Sequence, residues 1–216
     1  LKVLSTFHNQ TSYVLNRKVR RNDDGFNLNP FLDGNEDQLG LNLNFRNALF
    51  FNRGKQKFTT GYTYIATSAN NLLSVGLQSN KLENHQVSFN HKFWESWLLN
   101  LRSAAGNNES TSESFPGRNF FLDSYEVNPK ISYLLNRSTR FDVFYQFMNE
   151  ENTLGALEQL NQQKIGTSFG YTNAQKISLN GEFTYIDNAF TGSAFSPVAY
   201  QMLEGLQPGT NFTWSL

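Results

Sequence analysis

The chain of 216 residues balances 18 Lys+Arg against 18 Asp+Glu, contains no cysteine and is 15% aromatic, with 20 Phe and 9 Tyr. Neutrality excludes the concentrated basic surface that nucleic-acid partners need, and the missing cysteine excludes disulfide scaffolds, thiol catalysis and cysteine-based zinc sites. The sequence has no apolar run long enough for a transmembrane helix; the mean hydropathy of -0.51 does not speak against membrane strands, whose alternating residues average to a hydrophilic score.

The sequence opens at Leu1 without an initiator Met or a signal-peptide pattern, so further segments are expected outside it. A weak repeat runs through Tyr13-Val-Leu-Asn-Arg17, Leu49-Phe-Phe-Asn-Arg53 and Tyr133-Leu-Leu-Asn-Arg137. Each copy is expected to set aromatic and aliphatic residues at a strand end before an Asn-Arg turn. Two acidic stretches follow the first copy, at 22–25 and 33–37. Asp33, Asn35 and Asp37 have the opening spacing of a calcium loop, but Gln38 and Asn44 stand where an EF-hand needs Gly and Glu. A solvated loop is expected there, with no metal and no cofactor.

Period-2 alternation then dominates. In 39–51, Leu39, Leu41, Leu43, Phe45, Leu49 and Phe51 share one face against Gly40, Asn42, Asn44 and Arg46. Residues 57–78 read as one projecting strand or as two with a break near Asn70. Val87, Phe89 and Phe93 alternate with polar residues, as do Trp97, Leu99 and Leu101. The polar run 107–114 reads as a low-complexity surface loop. Tyr125, Val127, Ile131, Tyr133 and Leu135 continue the pattern, with Pro129 predicting a bulge or an unpaired ladder position. Phe141, Val143, Tyr145 and Phe147, and later Ile177, Leu179, Phe183 and Tyr185, repeat it. Near 196–205, Ser196 as N-cap, Pro197 at the first helical position and Gly205 as C-cap predict a short loop helix with Val198, Met202 and Leu203 on one side. It either docks on a partner, folds into a barrel mouth, or packs without a binding role. Residues 210–216 read as half a strand, so the chain is expected to continue.

Short connections at Asn52/Arg53, Glu95/Ser96, Asn136/Arg137 and Asn173/Ala174 alternate with long polar ones at 32–38, 103–119, 149–157 and 188–209. That asymmetry predicts an all-β, antiparallel, up-and-down transmembrane β-barrel, turns at one rim and loops at the other. About eleven strands are counted by the spacing of these patterns, and an odd number implies part of a larger barrel. Residues 1–216 are therefore expected to form part of one barrel domain.

Leu41, Leu43, Phe45, Phe89, Leu99, Phe141, Val143, Tyr145, Phe183 and Trp214 are assigned to lipid; Arg46, Lys92, Arg102, Lys130, Asp142, Lys164 and Glu182 are assigned to the lumen. Matching apolar faces across the turn at 171–176 predicts Gly166 opposite Glu182 and Lys164 opposite Thr184, bringing Lys164 diagonal to Glu182. His91 falls on the apolar face, and His8 and His85 stand apart from it and from each other. The sequence has no phosphate loop, HExxH or GxSxG, so an enzyme is not expected.

The stretch Gly181-Glu-Phe-Thr-Tyr through Asn211-Phe-Thr-Trp-Ser-Leu216 resembles the C-terminal region of large outer-membrane β-barrel proteins of Bacteroidota, especially flavobacteria. The relatives run on past the equivalent of Trp214. The resemblance implies an outer-membrane location, contact with its lipid, and membership of an envelope complex with other proteins, for nutrient uptake, protein export or barrel assembly. Two rival readings stand beside a scaffold or transport component: a passive diffusion porin, and a soluble surface β-domain that stacks glycans on Tyr62, Tyr64 and the tryptophans.

Overall fold

The structure, a computed structural model, describes residues 6–19, 38–54, 57–173, 177–193 and 195–216. Among the described residues the alternating segments form ten strands: β1 (Phe7–Val19), β2 (Gln38–Phe51), β3 (Phe58–Leu73), β4 (Gly76–Trp94), β5 (Trp97–Ser112), β6 (Phe120–Leu134), β7 (Thr139–Asn152), β8 (Gln159–Asn173), β9 (Ile177–Thr191) and β10 (Gly209–Ser215). They pair in sequence order in one sheet, each neighbour antiparallel. The fold is thus all-β, antiparallel and up-and-down. One helix, α1 (Pro197–Met202), interrupts it between β9 and β10. No helix among the described residues is long and apolar enough to cross a membrane.

Residues 57–78 form neither one strand nor two with a break near Asn70. β3 runs unbroken past Asn70 to Leu73, turns over Ser74 and Val75, and returns as β4, with Leu73 paired to Gly76. Gly76 has φ +120, a backbone conformation that suits glycine. A two-residue hairpin therefore stands at the rim expected to carry long loops. The polar run 107–114 is also mostly strand: β5 continues to Ser112. There the Ser110 hydroxyl donates to Asn80 Oδ1 at 2.7 Å and Lys81 Nζ lies 3.2 Å from Glu109. Cross-strand partners hold a segment that composition alone assigns to a loop.

The repeat splits likewise. Asn52, at φ 57, and Asn136, whose Oδ1 accepts from the Ser138 amide at 2.8 Å, do build turns. Asn16 and Arg17 instead lie within β1, paired to Asn42 and Leu41. At Pro129 the β5 ladder persists, whereas β6–β7 pairing skips from Val127 to Lys130 without a change of register. The unpaired alternative holds, and no bulge is needed.

Register sorts the side chains onto two faces. All ten residues assigned to lipid lie on one face, through pairs such as Tyr145 with Ile165, Ile165 with Tyr185, and Phe183 with Trp214. All seven assigned to the lumen lie on the other. Burial inverts the order of a water-soluble sheet: Val143 is 53% exposed, Ile165 51%, Phe183 50% and Trp214 74%. The hydrophobic cluster instead consists of Phe120, Leu122, Leu160, Val198, Met202 and Leu203. It sits on the polar face, at the end of the strands nearest α1.

Candidate functional site

The apolar face carries two rows of rings. Near the short turns, Phe7, Phe51 and Phe58 stack in sequence at 5.0 and 5.9 Å, Trp97 meets Tyr133 at 4.8 Å, and Phe141 meets Phe169 at 5.0 Å. Farther along, Phe45 meets Tyr64 at 6.0 Å, Tyr64 meets His85 at 4.9 Å, and Tyr185 meets Phe212 at 5.4 Å. Tyr125 and Tyr133 stand in the two rows on β6, about 26 Å apart along the strand at 3.3 Å per residue. Beyond the second row the same face turns polar, with Lys81, Glu83, Asn107, Glu109, Asp123, Glu151 and Asp187 on adjacent strands.

The histidines serve local geometry. His91 lies between Phe89 and Phe93, ring centroids at 6.0 and 6.4 Å. His85 Nδ1 is 2.7 Å from the Tyr62 hydroxyl. Tyr62 and Tyr64 thus form a mid-strand pair with His85, while Trp94 and Trp97 pair at the β4–β5 turn and Trp214 lies on β10. The structure does not gather these rings into one stacking platform. The acidic stretches at 22–25 and 33–37 lie outside the described residues. Among the described residues no group of three or more metal-binding side chains occurs.

On the polar face, charged residues form two groups. Toward the turns, buried Asp142 accepts from Arg140 Nε at 2.7 Å and from the Ser168 hydroxyl at 3.1 Å, and lies 3.2 Å from Lys130 Nζ. Arg140 also donates to the Ser132 hydroxyl at 2.9 Å. Toward α1, Lys164 pairs with Glu204 at 3.2 Å rather than with Glu182. The predicted register is off by two residues: Gly166 faces Thr184, Lys164 faces Ile186 and Ser168 faces Glu182. Arg46, Lys92 and Arg102 share the face without joining either group.

α1 folds onto the polar face, against Phe120, Leu122 and Leu160. Ser196 caps it by accepting from the Ala199 amide at 3.0 Å and Pro197 begins it, but it ends at Met202 with Leu203 as C-cap, before the expected Gly205, which follows at φ 78. Val198, Ala199, Met202 and Leu203 are buried. Polar ties flank this apolar contact. Glu158 accepts from Asn152 Nδ2 at 2.7 Å and from the Ser196 hydroxyl at 3.0 Å. Gln162 Nε2 donates to Asn188 Oδ1 at 2.8 Å, and Asn188 donates to the Gln207 carbonyl at 3.1 Å. Burial raises the Glu158 carboxyl, but hydrogen bonds from Asn152, from its own backbone and from Ser196 outweigh it and leave the group below its ordinary value.

Glu150 points the opposite way: burial, with Glu204 nearby, pushes it from 4.5 to about 7. It lies beyond the second ring row, flanked by Asn149 and Glu151 where the outer face is already polar. Sequence reading missed Asn152, Glu158, Gln162 and Asn188. The signal for Asn152, Gln162 and Asn188 is the presence of amides at inner positions of β7–β9; Glu158, between β7 and β8, carries none.

The chain is an all-β, up-and-down antiparallel sheet bearing a folded loop helix at one rim. It matches no protein-family model and no curated protein. Among solved structures it is similar to "Outer-membrane expressed OmpT of Vibrio cholerae", at 13% identity and TM-score 0.41, over 82% of this chain and 67% of that one. This corrects one expectation. The expectation that the chain is not an enzyme rests only on missing motifs, which exclude no activity, and it is withdrawn; the likeness assigns neither an activity nor a residue to this chain.

Proposed function

We propose that residues 1–216 are part of one outer-membrane β-barrel domain that serves as a scaffold or transport component of an envelope complex, for nutrient uptake, protein export or barrel assembly. The observation that carries this reading is the inverted burial: a broad exposed apolar face on β2–β10 bounded by two rows of rings, opposite a face of amides, hydroxyls and paired charges. In water such a face would be an aggregation surface; in a bilayer it matches the apolar band and aromatic girdles of a barrel wall. Leu41, Leu43, Phe45, Phe89, Leu99, Phe141, Val143, Tyr145, Phe183 and Trp214 then meet lipid. Arg46, Lys92, Arg102, Lys130, Asp142, Lys164 and Glu182 face the lumen. The resemblance of 181–216 to flavobacterial barrel proteins supports an origin in Bacteroidota.

α1 occupies the polar face with an apolar core of its own, which favours a scaffold or a gated component over an open diffusion porin. The full-length protein should stay with the membrane fraction through carbonate and high-salt washes and leave it only with detergent. Release by carbonate alone would sink the membrane assignment.

A further inference from the structure

Above the polar boundary of the apolar face, β4 and β5 project toward α1 and, with the 3-10 turn Pro116–Arg118, line a half-open cavity of about 430 Å³. That lies within the roughly 300–1,000 Å³ typical of small-molecule sites. Gln78 and Ser112 are cross-strand partners on one wall, Gln201 of α1 faces from another, and Phe120, Phe115 and Arg118 complete it. The Arg118 guanidinium lies 5.2 Å from the centre of the Phe115 ring.

The polar side chains here differ from those beneath α1. Glu158, Asn152, Ser196 and Asn188 satisfy one another or the backbone. Among the described residues, no protein hydrogen bond or ion pair engages the side chains of Gln78, Ser112, Gln201 or Arg118. An apolar ligand would strip water from these groups and leave them unpaired, a cost of about 1–3 kcal/mol each. A small inorganic anion would leave the cavity unfilled and the rings unused. A polyanion would meet one arginine and, at the edge, the Glu113 carboxylate, which accepts from the Leu77 amide at 2.9 Å. The lining instead matches a hydroxyl-rich ring bearing one carboxylate.

We infer that this cavity binds an acidic saccharide, with the sugar hydroxyls on Gln78, Ser112 and Gln201, a sugar ring against Phe115, and the carboxylate on Arg118. The inference goes beyond the barrel reading, because no part of it requires lipid on the opposite face.

The test is calorimetry on the full chain in detergent micelles, with digalacturonate, a glucuronate-terminated disaccharide and a neutral galactose disaccharide as probes. Saturable binding of an acidic probe about ten-fold tighter than the neutral one is expected from one charged hydrogen-bonded contact. Arg118→Gln should abolish that preference, Phe115→Ala should weaken all probes alike, and Arg137→Gln at the opposite rim should change nothing. Near- and far-ultraviolet circular dichroism of each variant confirms that it remains folded. Failure of wild-type protein to bind either acidic probe saturably, or retention of the preference by folded Arg118→Gln, overturns the inference. Carbonate release with binding intact would overturn the membrane reading alone.

Discussion

The two ends of this sheet solve opposite problems with the same strands. Toward the short turns, Asp142, Lys130 and Arg140 meet on the polar face while Phe141, Phe169, Trp97 and Tyr133 crowd the other. Toward the loops the polar face is itself partly apolar, and Phe120, Leu122 and Leu160 are covered by Val198, Met202 and Leu203. One end keeps its hydrophobic residues outside and its charges inside; the other builds a conventional core inside. The difference teaches that α1 contributes structurally at the mouth, where the apolar outer band has already ended.

The largest effect that would break the contrast is loss of this small core. Met202 is 1% exposed and Leu122 1%, so Met202→Ala should weaken docking of α1 by about 2–4 kcal/mol through the cavity it leaves. Limited proteolysis should then cut 192–208 far faster, while membrane retention stays unchanged. Equal resistance to protease would show that the polar ties alone hold the helix. At the other end, Asp142→Asn leaves Lys130 and Arg140 facing each other without their shared anion. Both cations are about a third to a half exposed, at 35% and 45%, so water offsets part of the loss and about 2 kcal/mol is expected. Denaturant midpoints in micelles should fall for Asp142→Asn, whereas protease sensitivity at α1 should not rise.

How much of this was legible in the sequence follows the same division. Period 2 carried the strands and the two faces, and Ser196-Pro197 carried the helix start, because alternation and capping are local. It failed where partners decide. Asn107 and Ser110 look like loop residues until β4 and β6 lie beside them. The β8–β9 register could not be read from apolar matching alone, since a shift of two residues keeps every side chain on its face; the ladder pairs Gly166 with Thr184 and Ser168 with Glu182. The pairing of Lys164 with Glu204 depends on a chain reversal forty residues on, beyond any periodic signal.

The smallest effect tests whether the mouth responds to pH as the turn end should not. Glu150, Lys164 and Glu204 converge beneath the segment following α1, with Lys164 and Glu204 in contact at 3.2 Å. A carboxyl raised from 4.5 to about 7 in the folded protein is protonated there while its unfolded counterpart is ionised. Its effect is therefore neutral below the unfolded value, grows unfavourable as pH rises between about 4.5 and 7, and is fully present above 7, where the ionised group is desolvated and repels Glu204. Docking of α1 should loosen over that window, seen as faster proteolysis of 192–208. Glu150→Gln should flatten the profile, because an amide fills the same space without a titrating proton. The Asp142→Asn background should leave the profile in place, since that cluster lies at the far end of β7. A profile that persists unchanged in Glu150→Gln would assign the pH response to another group and remove Glu150 from the mouth's electrostatics.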